Sequence, residues 1–163
     1  MRAILLCLCA LFVVQAVGQE PKPTCTSPEH RQFDFWIGTW SVSEKGKPAG
    51  ENRIEAIDKG CVLLESWKGV GGLTGHSLNI YDAKRRVWHQ TWVDSSGSLL
   101  TLEGSLRDGA MMLEGVHPGT KRHERITWTQ LSGGTVRQHW QTSTDDGATW
   151  TTAFDGLYTR ASR

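Results

Sequence analysis

Apolar and polar residues alternate with period two along most of this chain, from Thr39 to Arg160. That period is the mark of strands with one face buried. Residues 86–93 set Trp88, Gln90 and Trp92 against Val87, His89 and Thr91. Residues 123–131 set Ile126, Trp128 and Gln130 against Arg125, Thr127 and Thr129. Residues 135–143 set Val136, Gln138, Trp140 and Thr142 against Arg137, His139 and Gln141. Turn chemistry punctuates the alternation at spacings of roughly eight to twelve residues. Examples are Lys45-Gly46-Lys47-Pro48, Asp58-Lys59-Gly60, Arg107-Asp108-Gly109, Ser132-Gly133-Gly134 and Asp145-Asp146-Gly147. Glycine and aspartate supply the positive φ angles that tight hairpins need. The pattern predicts strands over 39–45, 50–57, 61–68, 75–82, 86–93, 98–106, 110–116, 123–131, 135–143 and 150–160.

A meander of that length closes most easily on itself, because closure removes the unpaired edges. The expected fold is all-β: a single up-and-down antiparallel β-barrel of about ten strands, with a short N-terminal helix closing one end. The helix is expected at Ser27-Pro28-Glu29, where a serine precedes proline at the first helical position and an acid follows. Phe33, Trp36 and Ile37 then fall at i, i+3 and i+4, one apolar face. Gly38 ends the segment.

The tryptophan-bearing face of each strand is the better candidate for the interior. On the last strand that face holds Phe154, Gly156 and Tyr158. Residues 61–68 are ambiguous from alternation alone. They set Leu63, Glu65 and Trp67 against Val62, Leu64 and Ser66. Residues 75–82 set Ser77, Asn79 and Tyr81 against His76, Leu78 and Ile80. The inferred interior mixes tryptophan with amides and one acid, whereas an inert core prefers Leu, Ile and Val. Such a lining suits a cavity for a small, partly polar molecule. The candidate ligand-binding residues are Glu65, Trp67, Asn79, Trp88, Gln90, Trp92, Trp128, Gln138, Trp140 and Tyr158. The other reading is a solid core in which these groups satisfy one another, or glutamines that face water.

Composition sharpens this picture. Eight tryptophans and 18 glycines suit an aromatic-rich, turn-rich β protein. The chain opens with Arg2 and an apolar run from Ala3 to Val14, too short to span a bilayer. Ala16-Val17-Gly18 follows with the small-x-small form of a cleavage site. Residues 1–18 are therefore expected to be a signal peptide, and 19–163 the barrel domain. Cys7 and Cys9 leave with the signal peptide, and their context is not that of a lipid anchor. Removing residues 1–18 takes only Arg2 from the 18 basic residues, which leaves 17 against 17 acids. No net field draws such a domain to nucleic acid or to an anionic membrane, and no membrane anchor is expected. The remaining pair, Cys25 and Cys61, reads as a disulfide in an exported, periplasmic or extracellular chain; two buried free thiols are the alternative. A bridge across that loop is worth roughly 3–4 kcal/mol in the chain-entropy picture.

Ser143-x-Asp145-x-Gly147-x-Thr149-Trp150 matches the Asp-box, a hairpin motif in which aspartate caps turn amides and tryptophan packs beneath the turn. Propellers repeat it; here it occurs once. Gly38-x-Trp40 after a short helical lead-in resembles the calycin superfamily of lipocalins and fatty-acid-binding proteins. That resemblance implies a structural contact in which Arg160, near the chain's end, packs on Trp40 and closes the barrel. A likeness over nearly the whole mature chain is to the DUF1579 family, exported bacterial proteins without an assigned activity. It rests on Phe33-Asp34-Phe35-Trp36-Ile37-Gly38-Thr39-Trp40, Gly60-Cys61 with Glu65 and Trp67, Tyr81-Asp82, Trp88-x-Gln90-x-Trp92 and the late Asp-box hairpin. The strand count also resembles nitrobindin-like barrels, which hold haem through a histidine. His89 and His139 fall on the inferred outer face, and His76 reads better as a core or turn histidine.

No Gly-x-Ser-x-Gly elbow, metal-spaced histidine pair, Cys-x-x-Cys or phosphate loop occurs. No catalytic or metal residue is assigned, and no cofactor is expected. Glu65 and Glu114 are the carboxylates weighed as an acid–base pair, and nothing in the spacing brings them together. The leading expectation is a small-molecule-binding barrel, monomeric or homodimeric, for a hydrophobic or aromatic ligand. The alternatives are an enzyme that uses the cavity with Glu65 as acid or base, and a structural or protein-interaction domain with a filled core.

Overall fold

Period-two alternation interrupted by left-handed turn residues yields ten strands in the computed structural model, which describes residues 25–117 and 119–161. They are β1 (Gly38–Glu44), β2 (Lys47–Ile57), β3 (Val62–Gly69), β4 (Thr74–Asp82), β5 (Val87–Asp94), β6 (Leu99–Arg107), β7 (Ala110–Val116), β8 (His123–Gln130), β9 (Val136–Ser143) and β10 (Thr151–Arg160). Each strand pairs antiparallel with the next, and β10 returns to β1 with Trp40 opposite Arg160. The sheet is a closed barrel, so every described strand has a partner on each side. The proposed cleavage site and the apolar run before it lie outside the described residues.

Turn residues sit where the alternation breaks. Lys45, Asp58, Lys59, Arg86, Asp108 and Asp146 have positive φ, as do the glycines that follow several of them. Register shifts occur at Val42/Ser43 and at Thr152/Phe154. The second of these shifts swings Ala153 to the cavity side beside Phe154.

The polar-bearing faces of β3 and β4 are the inner ones. Leu63, Glu65, Ser77 and Asn79 are buried, while Leu78 and Ile80 face outward at 51% and 38% exposure. His76 shares that outer face, 3.2 Å from Ser66 Oγ. Hydrophobicity alone misleads here, because a closed barrel's interior is set by the strand's neighbours as well as by its own residues. Gln130 is also corrected: it ends β8 in an exposed position. Trp128 two residues earlier is fully buried.

The lead-in is two short 3₁₀ turns, Pro28–Arg31 and Asp34–Trp36, rather than one α-helical stretch. Three residues per turn place Phe33 and Trp36 directly above one another, and both are fully buried. Ser27 donates its hydroxyl to the Glu29 carboxylate at 2.6 Å, and its side chain accepts no backbone N–H as a cap. Cys25 and Cys61 form a disulfide that ties this lead-in to the turn between β2 and β3.

The lead-in fills one end of the barrel. Phe33 stacks on Trp36 at 4.9 Å between centroids and meets the edges of Trp88 and Trp128 at 5.6 and 5.2 Å. Trp40 donates its indole N–H to the Trp36 carbonyl at 2.8 Å. The Arg160 guanidinium lies 3.9 Å above the Trp40 ring and donates to the Ile37 carbonyl at 2.7 Å. Gly38, at φ 144°, passes so close beneath that guanidinium that a Cβ would sit 1.7 Å from it. A glycine is required there on both counts.

Candidate functional site

The opposite end of the barrel is open inside. A cavity of about 280 Å³ begins under the loops that follow β3 and β5, with Leu73 and Asp94 at its mouth. Its walls are Trp67 from β3, Trp92 from β5, Trp140 from β9 and Phe154 from β10. Three of these rings, Trp67, Trp92 and Phe154, lie close over glycines. A Cβ at Gly50 would meet Trp67 at 2.7 Å, one at Gly75 would meet Trp92 at 2.3 Å, and one at Gly156 would meet Phe154 at 2.4 Å. Real Cβ contacts essentially never come that close, so the glycines set the width of the cavity.

The floor is polar and built around Glu65. Strand parity turns Glu65 inward, where it is 4% exposed. Asn52 on β2 donates its amide to Oε1 at 2.7 Å, and Ser77 on β4 donates its hydroxyl to Oε2 at 2.6 Å. Burial raises the Glu65 pKa from 4.5 to about 7, and the bonds from Ser77 and Asn52 only partly oppose it. The same Asn52 amide reaches the Tyr158 hydroxyl at 3.3 Å, and Tyr158 donates in turn to Gln138 Oε1. Burial and then the nearby Glu65 charge hold the Tyr158 hydroxyl well above its usual range. On the other flank Gln90 donates to Asn79 Oδ1 at 2.8 Å, and Asn79 donates to Ser77 at 2.8 Å. The buried amides are thus organised into one network about a single carboxyl group.

The mouth carries a second acid. Burial raises the Asp94 pKa, but bonds from Ser96, Trp92 and the Ser96 and Ser98 amides outweigh it and leave the group below the usual range. Trp92 is held in the wall by one of these, its indole N–H donating to Asp94 at 3.1 Å. Trp140 is held by a donation of 2.6 Å to Glu124, which is itself fully buried and paired with Arg122 at 2.5 Å.

Of the candidates from the sequence, Glu65, Trp67, Gln90, Trp92, Gln138, Trp140 and Tyr158 meet at this cavity. Trp88 and Trp128 instead belong to the packed end with Phe33 and Trp36. Asn79 lies beneath the floor, fully buried, and positions Gln90. Glu114 is on the outside, 3.6 Å from Arg125, so it forms no pair with Glu65. Sequence reasoning missed Asn52, Ser77 and Glu124 as parts of the site. Parity with Ile126 and Trp128 was the available signal for Glu124, and parity with Ile54 was the one for Asn52.

No family model and no curated protein matches this chain. The likeness to the DUF1579 family therefore stays a resemblance, and the closed ten-stranded barrel is compatible with the calycin architecture. The described residues that line the cavity offer haem no histidine. His30, the buried one, sits at the packed end, 2.9 Å from Ser27 Oγ and edge-on to Tyr81. The Asp-box hairpin is a turn device. Asp145 accepts from the Thr149 amide and hydroxyl at 2.9 and 2.6 Å. Those bonds, the Thr149 hydroxyl's first, hold Asp145 down at about 2. Trp150 donates to the Gly147 carbonyl beneath the turn.

Proposed function

We propose that this barrel binds a small, partly polar aromatic or hydrophobic molecule in its open end, as an exported carrier or sequestering protein. The observation that carries the reading is the inequality of the two halves of the interior. One half is filled by the interlocking rings of Phe33, Trp36, Trp88 and Trp128, while the other keeps a cavity of about 280 Å³ with aromatic walls and a polar floor. Ligand sites combine a mainly apolar lining with a few placed polar groups, and this volume suits a molecule of one or two rings. The disulfide supports an oxidising compartment, in keeping with the signal-like N-terminus.

Native mass spectrometry of the protein from its own exported fraction tests this. The expected result is an extra mass that is lost on denaturation. A clean apo mass that takes up nothing from a panel of one- and two-ring aromatics overturns the reading.

A second reading is favoured by one observation: Glu65 faces the cavity with its pKa raised to about 7. A carboxyl group poised there can hold or give up a proton at neutral pH, the requirement for general acid–base work. It predicts that Glu65→Gln abolishes turnover of a bound compound without loss of the fold. Retained turnover in that variant rules Glu65 out.

A further inference from the structure

We infer that the molecule this cavity takes is a hydrophobic organic cation, an aromatic or arylalkyl amine. The inference rests on the binding reading above and adds the charge of the ligand. Three features of the lining point the same way.

The first is the sign of the charges. Among the described residues, the lining contains two carboxyl groups, Glu65 on the floor and Asp94 at the mouth, and no lysine, arginine or histidine. Arg122, behind the Trp140 wall, is tied to Glu124 at 2.5 Å. A carboxylate ligand entering here would meet acids and no counter-charge, in a place where desolvation makes an unpaired charge costly. An ammonium group would meet Glu65, which has no cationic partner of its own. The groups that face Glu65 are Asn52 from β2, Ser77 from β4 and Tyr158 from β10, all uncharged when Tyr158 keeps its proton.

The second is the allocation of donors and acceptors. The donors around the floor are directed to one another. Ser77 and Asn52 donate to Glu65, Tyr158 to Gln138, and Gln90 to Asn79. Gln90, which lines the cavity, therefore keeps its carbonyl oxygen on the side away from Asn79. Together with the remaining lone pairs of Glu65, this makes a floor that accepts hydrogen bonds, which an ammonium group with three donors satisfies. Gln138, whose Oε1 is taken by Tyr158, keeps its NH₂ for a neutral acceptor on the ligand.

The third is the wall chemistry. Trp67, Trp92 and Trp140 are the side chains with the strongest ring quadrupole, and they surround the space above Glu65. Aromatic faces attract a cation as well as an aromatic ring. The indole N–H groups of Trp92 and Trp140 are bonded outward to Asp94 and Glu124, which fixes those two walls and keeps these donors off the ligand.

Calorimetry on the mature full chain at pH 7 with three probes of one shape tests this: 2-phenylethylamine, 2-phenylethanol and phenylacetate. The amine is expected to bind about tenfold more tightly than the alcohol, with no binding of phenylacetate. Amine binding should also release protons from Glu65, seen as a heat that differs between phosphate and Tris buffers. In Glu65→Gln the amine should lose its preference and bind within about twofold of the alcohol. Equal or tighter binding of the alcohol or of phenylacetate overturns the charge inference and leaves the binding reading standing. If none of the three binds, the charge inference falls. Fluorescence of the neutral dye N-phenyl-1-naphthylamine in the same sample then decides the rest. Uptake of the dye preserves the cavity reading, and no uptake overturns that as well. These comparisons in the unaltered protein stand even if the variant does not fold.

Discussion

Ser77 gives its hydroxyl to the Glu65 carboxyl group at 2.6 Å across the β3–β4 ladder, where the two residues are direct cross-strand partners. The pairing holds an acid inside the barrel with hydrogen bonds but without an opposite charge. Its consequence is a stability that depends on pH in an unusual direction. The Glu65 pKa rises from 4.5 to about 7 on folding, so between those values the folded state binds more protons than the unfolded one. Stability contributed by this group is therefore greatest below about pH 4.5 and is lost as pH rises toward 7. The size is on the order of 3 kcal/mol. Urea denaturation at pH 5, 6, 7 and 8 should show wild type losing stability relative to Glu65→Gln as pH rises. A difference that stays constant with pH would show that Glu65 titrates normally.

Arg160 closes the barrel on the opposite end. Its guanidinium combines a face-on contact with Trp40 and a bond to the Ile37 carbonyl, which lysine cannot reproduce together. Arg160→Ala is expected to cost about 1–2 kcal/mol, with Arg160→Lys recovering less than half. The midpoints of chemical denaturation give the comparison directly. Gly38→Ala should be at least as harmful, because the added methyl occupies the guanidinium's place.

Gly156 lies under the Phe154 wall, where the atoms nearest an added Cβ would be the Phe154 ring at 2.4 Å and the Val42 side chain at 3.2 Å. Gly156→Ala should push the Phe154 ring into the cavity. Overpacking of this kind costs about 1–3 kcal/mol, and uptake of aromatic probes should weaken by about tenfold. Dye-binding titrations on the folded variant measure it. Unchanged uptake would mean that Phe154 is not a wall of the binding space.

The disulfide acts on the packed end. Cys25–Cys61 closes a separation of 36 residues that includes the whole lead-in. Replacing both cysteines with serine should remove about 3–4 kcal/mol of stability through the freedom regained by the unfolded chain. Hydrogen exchange should rise first at the backbone around Phe33 and Trp36, whose rings cap the core. Equal loss of protection throughout the barrel would argue against the lead-in as a separately opening plug.

Much of the architecture was legible in residue order. Strand existence and inward parity follow from local geometry, since successive side chains must point to opposite faces of a pleated chain. Turn positions follow from residues such as Asp108-Gly109 that tolerate positive φ. The pairing of Cys25 with Cys61 was the favoured of two readings of an even cysteine pair, the other being two free thiols. Parity was enough to turn Gln90, Gln138 and Tyr158 inward, but it left Glu65 open, because apolar side chains occur on both faces of residues 61–68.

Tertiary structure alone decided where along the barrel axis the interior is solid. Trp88 and Trp92 share one face of one strand, yet the first is sealed by Phe33 and the second lines the cavity. Nothing within β5 distinguishes them; the difference is the lead-in, docked at one end only. The partners of Glu65 were likewise invisible in order, because Asn52, Ser77 and Tyr158 come from three other strands. Alternation is a local property of the backbone and survives in one dimension. The depth of a residue in a closed barrel, and the groups that meet it across the axis, depend on register and closure, which exist only once the whole sheet is formed.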